Sequence, residues 1–204
     1  MSTAMGTSSA AGTVALQSGR GARAEALSTG KVGMWVFLAT DAMGFAGLLM
    51  AYAVLRVRAD QWPDPQDRLV VWQAAAMTGA LVTSSFTMTL AARAARAGRN
   101  GARALWHVVT LALGALFFSG QVLEYVNLAG GPHAMGLRAD LFASTFYAVT
   151  GYHALHVLVG LVMLLVVLVR RSSARSLEVA ALFWHFVDLA WIPIFTFLYL
   201  LPTS

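Results

Sequence analysis

Apolar residues along the chain gather into five long stretches, 31–55, 70–92, 104–128, 141–169 and 177–201, separated by short polar segments. Roughly 20 apolar residues carry an α-helix across a bilayer core. Each stretch is long enough to cross, and the fourth is long enough to need tilt or overhang. The connections leave no room for an extramembrane domain. The pattern predicts an all-α fold, a polytopic membrane bundle of five transmembrane helices occupying residues 29–204. Residues 1–28 are rich in Ala, Gly, Ser and Thr and are expected to form a disordered cytoplasmic tail, because that composition cannot bury a core. No continuous apolar core follows a basic start there, which argues against a cleaved signal peptide.

Composition agrees with the pattern. The 204 residues are 58% hydrophobic and 11% charged, against about 25% charged in a soluble domain. With no cysteine, disulfides, thiolate metal sites and cysteine catalysis are excluded. The net charge of +5 does not point to nucleic acid, because the basic residues sit in short loops beside the spans, where topology explains them. Ten of the 14 basic residues fall on the side of the N-terminus: Arg20, Arg23 and Lys31, then Arg93, Arg96, Arg99 and Arg103, then Arg170, Arg171 and Arg175. Arg56, Arg58, Arg68 and Arg138 fall on the other, beside Asp60, Asp64, Asp67 and Asp140. This bias predicts a cytoplasmic N-terminus and an outward C-terminus. Trp62-Pro63-Asp64-Pro65 reads as an outward turn, since proline disfavours helix at itself and at the residue before it.

The spans carry polar groups that lipid penalises. In the fifth, His185 and Asp188 lie three residues apart on one helical face, with Glu178 two turns earlier on the same face. In the first, Asp41 lies about 15 Å beyond Lys31 along a helix rising 1.5 Å per residue. Asp188 is at a similar depth, so Asp41, His185, Asp188 and Glu178 are expected to form a polar cluster. A shared-proton site and a structural clasp between two helices both fit it. Gly44, Gly47 and Ala51 follow Asp41 as a stripe of small residues that allows close helix packing.

A second cluster is expected nearer the outer side. Gln121 and Glu124, beside Tyr125, lie three residues apart in the third span, and His153 and His156 do so in the fourth. One hydrogen-bonded contact between these helices, centred on Glu124 and His153, is the predicted arrangement. Paired histidines also occur in metal and haem sites, but no third or fourth ligand is spaced to complete one, and His107 and His133 lie near span ends. No metal site is expected. Nor is there a nucleophile elbow, a phosphate loop or a glycosidase-type carboxylate pair, so no catalytic residue is assigned. The hydroxyls of Thr83-Ser84-Ser85-Phe86-Thr87 are expected to bond carbonyls of the preceding turn or a neighbouring helix.

Five of these segments, in order, resemble subunit III of the haem–copper terminal oxidases, the cytochrome c oxidase subunit III family in its five-helix bacterial form. They are Gly33-Met34-Trp35-Val36-Phe37-Leu38-Ala39-Thr40-Asp41, Thr83-Ser84-Ser85-Phe86-Thr87, Gln121-Val122-Leu123-Glu124-Tyr125, Ser144-Thr145-Phe146-Tyr147 with Thr150-Gly151-Tyr152-His153-Ala154-Leu155-His156-Val157, and Trp184-His185-Phe186-Val187-Asp188. The resemblance implies an accessory subunit of an aerobic respiratory enzyme in the bacterial inner membrane. Such a subunit holds no cofactor itself and packs mainly against catalytic subunit I, with subunit II in the same complex. Haem and copper belong to the partner subunits. The resemblance further implies bound phospholipid, support of proton uptake and protection against inactivation during turnover.

Two departures from the family pattern bear on this. Longer members have seven helices, and the chain lacks the first two, which wall the family's lipid cleft. Asp41 stands where the family usually has Glu, as in quinol-oxidising relatives. Subunit III of a quinol oxidase and the accessory homologue of nitric oxide reductase therefore remain alternatives. A stand-alone proton-coupled transporter is the alternative from a different class, although the sequence offers neither an inverted repeat nor a broken helix at mid-membrane.

Overall fold

In the computed structural model the backbone is described over residues 7–60, 62–63, 69–130 and 140–201, with side chains from residue 30 onward. Five helices account for nearly all of it: α1 (Thr7–Arg58), α2 (Val71–Arg96), α3 (Asn100–Gly130), α4 (Leu141–Val169) and α5 (Ala174–Phe195). A π-helical turn, Thr196–Leu200, continues α5. All five are long and apolar enough to cross a membrane, α1 through its segment Gly30–Arg58. Helix α1 begins at Thr7, inside the stretch that composition assigns to a tail. Of the expected outward turn, Trp62 and Pro63 are described and non-helical, while Asp64 and Pro65 lie outside the described residues, as does His133.

The helix ends follow from local chemistry. Asp140 caps α4 by accepting from the Ala143 amide at 2.7 Å, and Ser173 caps α5 through the Ser176 amide, each satisfying an amide that the first turn leaves open. Helix α2 closes at Gly98, whose φ of 70° lets the Arg99 amide turn back to the Ala94 carbonyl at 3.0 Å. Helix α4 closes the same way with Arg171 at φ 46° and Ser172 bonding the Val167 carbonyl, a left-handed position that glycine fills at lower cost. Pro193 supplies no amide within α5, and the chain then widens into the π turn. Arg56 of α1 receives that turn's end, donating to the Leu201 carbonyl at 3.0 Å and to the Phe197 carbonyl at 3.4 Å.

The helices close a ring in the order α1, α5, α2, α3, α4, and α4 also packs across it against α5. Its centre is Trp184 of α5, a fully buried side chain. The indole NH donates to Ser84 of α2 at 3.0 Å, and the ring lies on Gly114 of α3 and Gly160 of α4. A methyl group at those glycines would come within 2.5 and 2.9 Å of it. With no hydrophobic drive between helices in lipid, small residues that admit a large neighbour are what bring backbones together. Further bonds tie α2 to its neighbours, from the Trp191 indole to Thr78 at 2.8 Å and between Thr87 and Thr110 at 2.8 Å. Several hydroxyls of the 83–87 segment also bond preceding carbonyls, as expected.

Candidate functional site

Asp41 is buried on α1, and its partners come from α4. The Tyr152 hydroxyl donates to Oδ1 at 2.7 Å, and His156 Nε2 lies 3.1 Å from Oδ2, off the line of a straight hydrogen bond. His156 Nδ1 is 2.7 Å from the Tyr152 carbonyl. A carbonyl can only accept, so Nδ1 carries a hydrogen. Oδ2 and Nε2 can therefore sit this close favourably only with a further proton between them, on the imidazole or on the acid. Sequence makes room for this: at Gly44 a methyl group would stand 3.0 Å from the Tyr152 hydroxyl. Phe45 packs edge-on against Tyr152, centroids 4.9 Å apart, and lies 5.2 Å from the His156 ring, sealing the group.

The expected four-residue cluster is thus divided. Asp41 makes no hydrogen bond with His185 or Asp188; a helix face chosen by depth alone does not fix which neighbour it meets. His185 Nδ1 instead lies 2.6 Å from Ser85 Oγ of α2. Asp188 is 6% exposed, with neither oxygen hydrogen-bonded among the described residues. Glu178 pairs with Lys31 of α1 at 2.8 Å and Arg96 of α2 at 3.8 Å, at the end of the bundle where α5 begins. Glu178 and His185 do share a face, lining one groove.

The second expected cluster is divided as well. Gln121 donates to Glu124 at 3.0 Å, as their spacing suggests, but the other donor to Glu124 is Tyr199 of the π turn at 2.8 Å. His153 makes no hydrogen bond to Glu124: both its ring nitrogens lack partners among the described residues. It is enclosed by Phe45, Phe117 and Trp191, with the Trp191 centroid 4.9 Å away. Three residues along a helix turn a side chain by about 60°, enough to send His153 inward and His156 to α1. The residues that sequence did not single out are Tyr152 and Tyr199, while the Ser85 bond to His185 of α5 is the neighbouring-helix alternative expected for the 83–87 hydroxyls. A tyrosine inside an apolar run gives no signal of the carboxyl that awaits it.

Among the described residues, no three His, Asp or Glu side chains are placed to hold a metal ion. Fold and site together define a multi-pass membrane bundle whose titratable groups are answered mostly by side chains from other helices. Residues 13–202 match the family described as Cytochrome c oxidase subunit III. The chain is 35% identical over 178 residues to cytochrome c oxidase subunit 3 of Thermostichus vulcanus, covering 83% of this chain and 86% of that one. It is 37% identical over 176 residues to the probable cytochrome c oxidase subunit 3 of Mycobacterium bovis, covering 82% and 86%. With the Synechocystis cytochrome c oxidase subunit 3 it shares 38% over 178 residues, covering 83% and 74%. The chain belongs to the cytochrome c oxidase subunit III family.

Proposed function

We propose that the chain is the accessory subunit III of a bacterial respiratory cytochrome c oxidase, supporting proton uptake, lipid binding and turnover stability of catalytic subunit I. The observation that carries this reading is the family match over nearly the whole chain, together with relatives named cytochrome c oxidase subunit 3. In this reading the chain has no redox centre: haem and copper sit in the partner subunits, and electrons never pass through it. Its place is the inner membrane, with the N-terminus cytoplasmic, residues 1–28 as a tail and residues 29–204 as the bundle. Subunit I is the main contact and subunit II a member of the same complex.

Exposed large apolar side chains support the docking part of the proposal. Trp35, Val36, Met43 and Met50 of α1 and Leu105, Leu116 and Leu123 of α3 face outward, offering apolar flanks for subunit I or for lipid. The buried Asp41–His156 pair supports the proton-handling part, since one proton shared between an acid and an imidazole can exchange without leaving a bare charge in the membrane.

Purification of a tagged chain in mild detergent tests the reading. The accessory subunit brings haem absorbance and oxygen-reducing partners with it, and after dissociation carries less than one equivalent of copper, zinc or iron. A colourless protein running alone would support the transporter alternative, and stoichiometric metal in the separated chain would overturn the accessory role.

A further inference from the structure

Helices α3 and α4 have 31 and 29 residues, so at 1.5 Å per residue each is roughly 45 Å long. The hydrocarbon core of a bilayer is about 30 Å thick, which leaves about a turn of each helix at headgroup level on either side. Where α3 begins and α4 ends, a cavity of about 720 Å³ opens between them. Gly101, Arg103 and His107 line it from α3, and Leu168, Val169 and Arg171 from the end of α4 and its loop. No acidic residue lines it, and the ion pairs of the described residues lie elsewhere.

Topology explains basic loops on this side of the bundle, but not how these groups are held. The Arg103 guanidinium donates to the Ser172 carbonyl, which ties the start of α3 to the loop after α4 and fixes the charge between them. Arg171 keeps φ 46° where glycine would cost less, and backbone strain of this kind gathers at ligand clamps. The His107 ring is 1% exposed, yet its Nε2 has no hydrogen-bond partner among the described residues; a buried ring nitrogen ordinarily has one. The Gly101 amide, in the first turn of α3, bonds no backbone carbonyl and stands where the helix dipole favours an anion.

We propose that this cavity binds the phosphate group of an anionic phospholipid. Arg103 and Arg171 supply the charge through guanidinium donors that suit phosphate oxygens. Gly101 adds its amide, and His107 an N–H from the inner wall. Leu168 and Val169 give the lipid's glycerol and upper acyl carbons an apolar side, which free phosphate would leave unused. Two positive charges without a carboxylate offer nothing to the ammonium of a zwitterionic headgroup, so a lipid whose only headgroup charge is its phosphate is preferred. Basic pockets between spanning helices select headgroups in this way. The inference deepens the lipid-binding part of the proposed function and rests on that reading for the membrane that supplies the lipid.

Native mass spectrometry of the full chain tests it. The chain, delipidated in mild detergent, is equilibrated with equal amounts of phosphatidylglycerol and phosphatidylcholine carrying the same acyl chains. The wild type should retain phosphatidylglycerol at least fivefold over phosphatidylcholine, and excess inorganic phosphate should not displace it. Arg171→Gln, in an exposed loop and outside the packed core, should lower that preference at least threefold, and Arg103→Gln added to it should abolish the preference. Arg93→Gln removes an exposed arginine from the same end of the bundle but outside the cavity, and should leave it unchanged. Equal retention of the two lipids, an equal loss in Arg93→Gln and Arg171→Gln, or release of the lipid by inorganic phosphate would overturn the proposal. No oxidase enters the measurement, so its failure leaves the accessory role standing.

Discussion

The Asp41 carboxyl of α1 faces the His156 imidazole of α4 across 3.1 Å, with Tyr152 holding the other carboxyl oxygen at 2.7 Å. Nδ1 is committed to the Tyr152 carbonyl, so the pair is comfortable only with one proton between Oδ2 and Nε2. Asp41→Asn keeps an acceptor for Tyr152 but cannot ionise. If the pair handles protons, the assembled oxidase should retain its subunits while the pH dependence of oxygen reduction shifts or its lifetime in turnover shortens. An unchanged pH profile with unchanged lifetime would leave the pair a clasp between α1 and α4.

Trp184 makes the centre of the bundle sensitive to single methyl groups. At Gly114 the added carbon would sit 2.5 Å from the rigid indole ring and 2.9 Å from a Leu161 methyl. Gly114→Ala should destabilise by about 1–3 kcal/mol, the usual cost of overpacking, read as a lower thermal midpoint in detergent. Gly47→Ala, with nothing within 4 Å, should be neutral or up to about 1 kcal/mol stabilising, because alanine is the better helix former.

What could be read from the sequence divides along a physical line. Apolar length marks helices able to cross, and the expected stretches 31–55, 70–92, 104–128, 141–169 and 177–201 fall within a few residues of the helices long and apolar enough to do so. Depth was legible only in part: Asp41 was expected level with His185 and Asp188 and His156 nearer the outer side, yet Asp41 and His156 meet at 3.1 Å. Azimuth was not. A span that is apolar on every side, as α4 is, carries no stripe to say which neighbour a polar residue meets. His153 and His156 therefore read as one pair, although one enters an aromatic enclosure and the other reaches α1. Trp184 was visible only as part of a motif; its role appears once Gly114 and Gly160, from distant stretches, lie beneath it.

Arg171 closes α4 with φ 46°, a left-handed geometry costing a side-chain-bearing residue roughly 1 kcal/mol. Arg171→Gly should therefore stabilise the chain by about 0.5–1 kcal/mol, with Arg170 and Arg175 keeping the loop basic. A thermal midpoint that falls instead would show that the guanidinium makes a contribution larger than the backbone cost.

Glu124 supplies a test of the rearranged second cluster. Its carboxyl accepts from Tyr199 at 2.8 Å and Gln121 at 3.0 Å, and Tyr199 is fully buried. Tyr199→Phe removes one donor and should cost about 1–3 kcal/mol, because a buried acceptor loses a partner. Adding Glu124→Leu to Tyr199→Phe should cost less than the two single changes together, since neither change then strands the other's partner. A double-mutant cycle on this pair should give a coupling of about 0.5–3 kcal/mol. The same cycle between Glu124 and His153, through His153→Phe, should give a coupling below about 0.5 kcal/mol, because His153 is held by rings and not by the carboxyl. A larger coupling there, with none to Tyr199, would restore the contact expected between the third and fourth spans and displace the one observed.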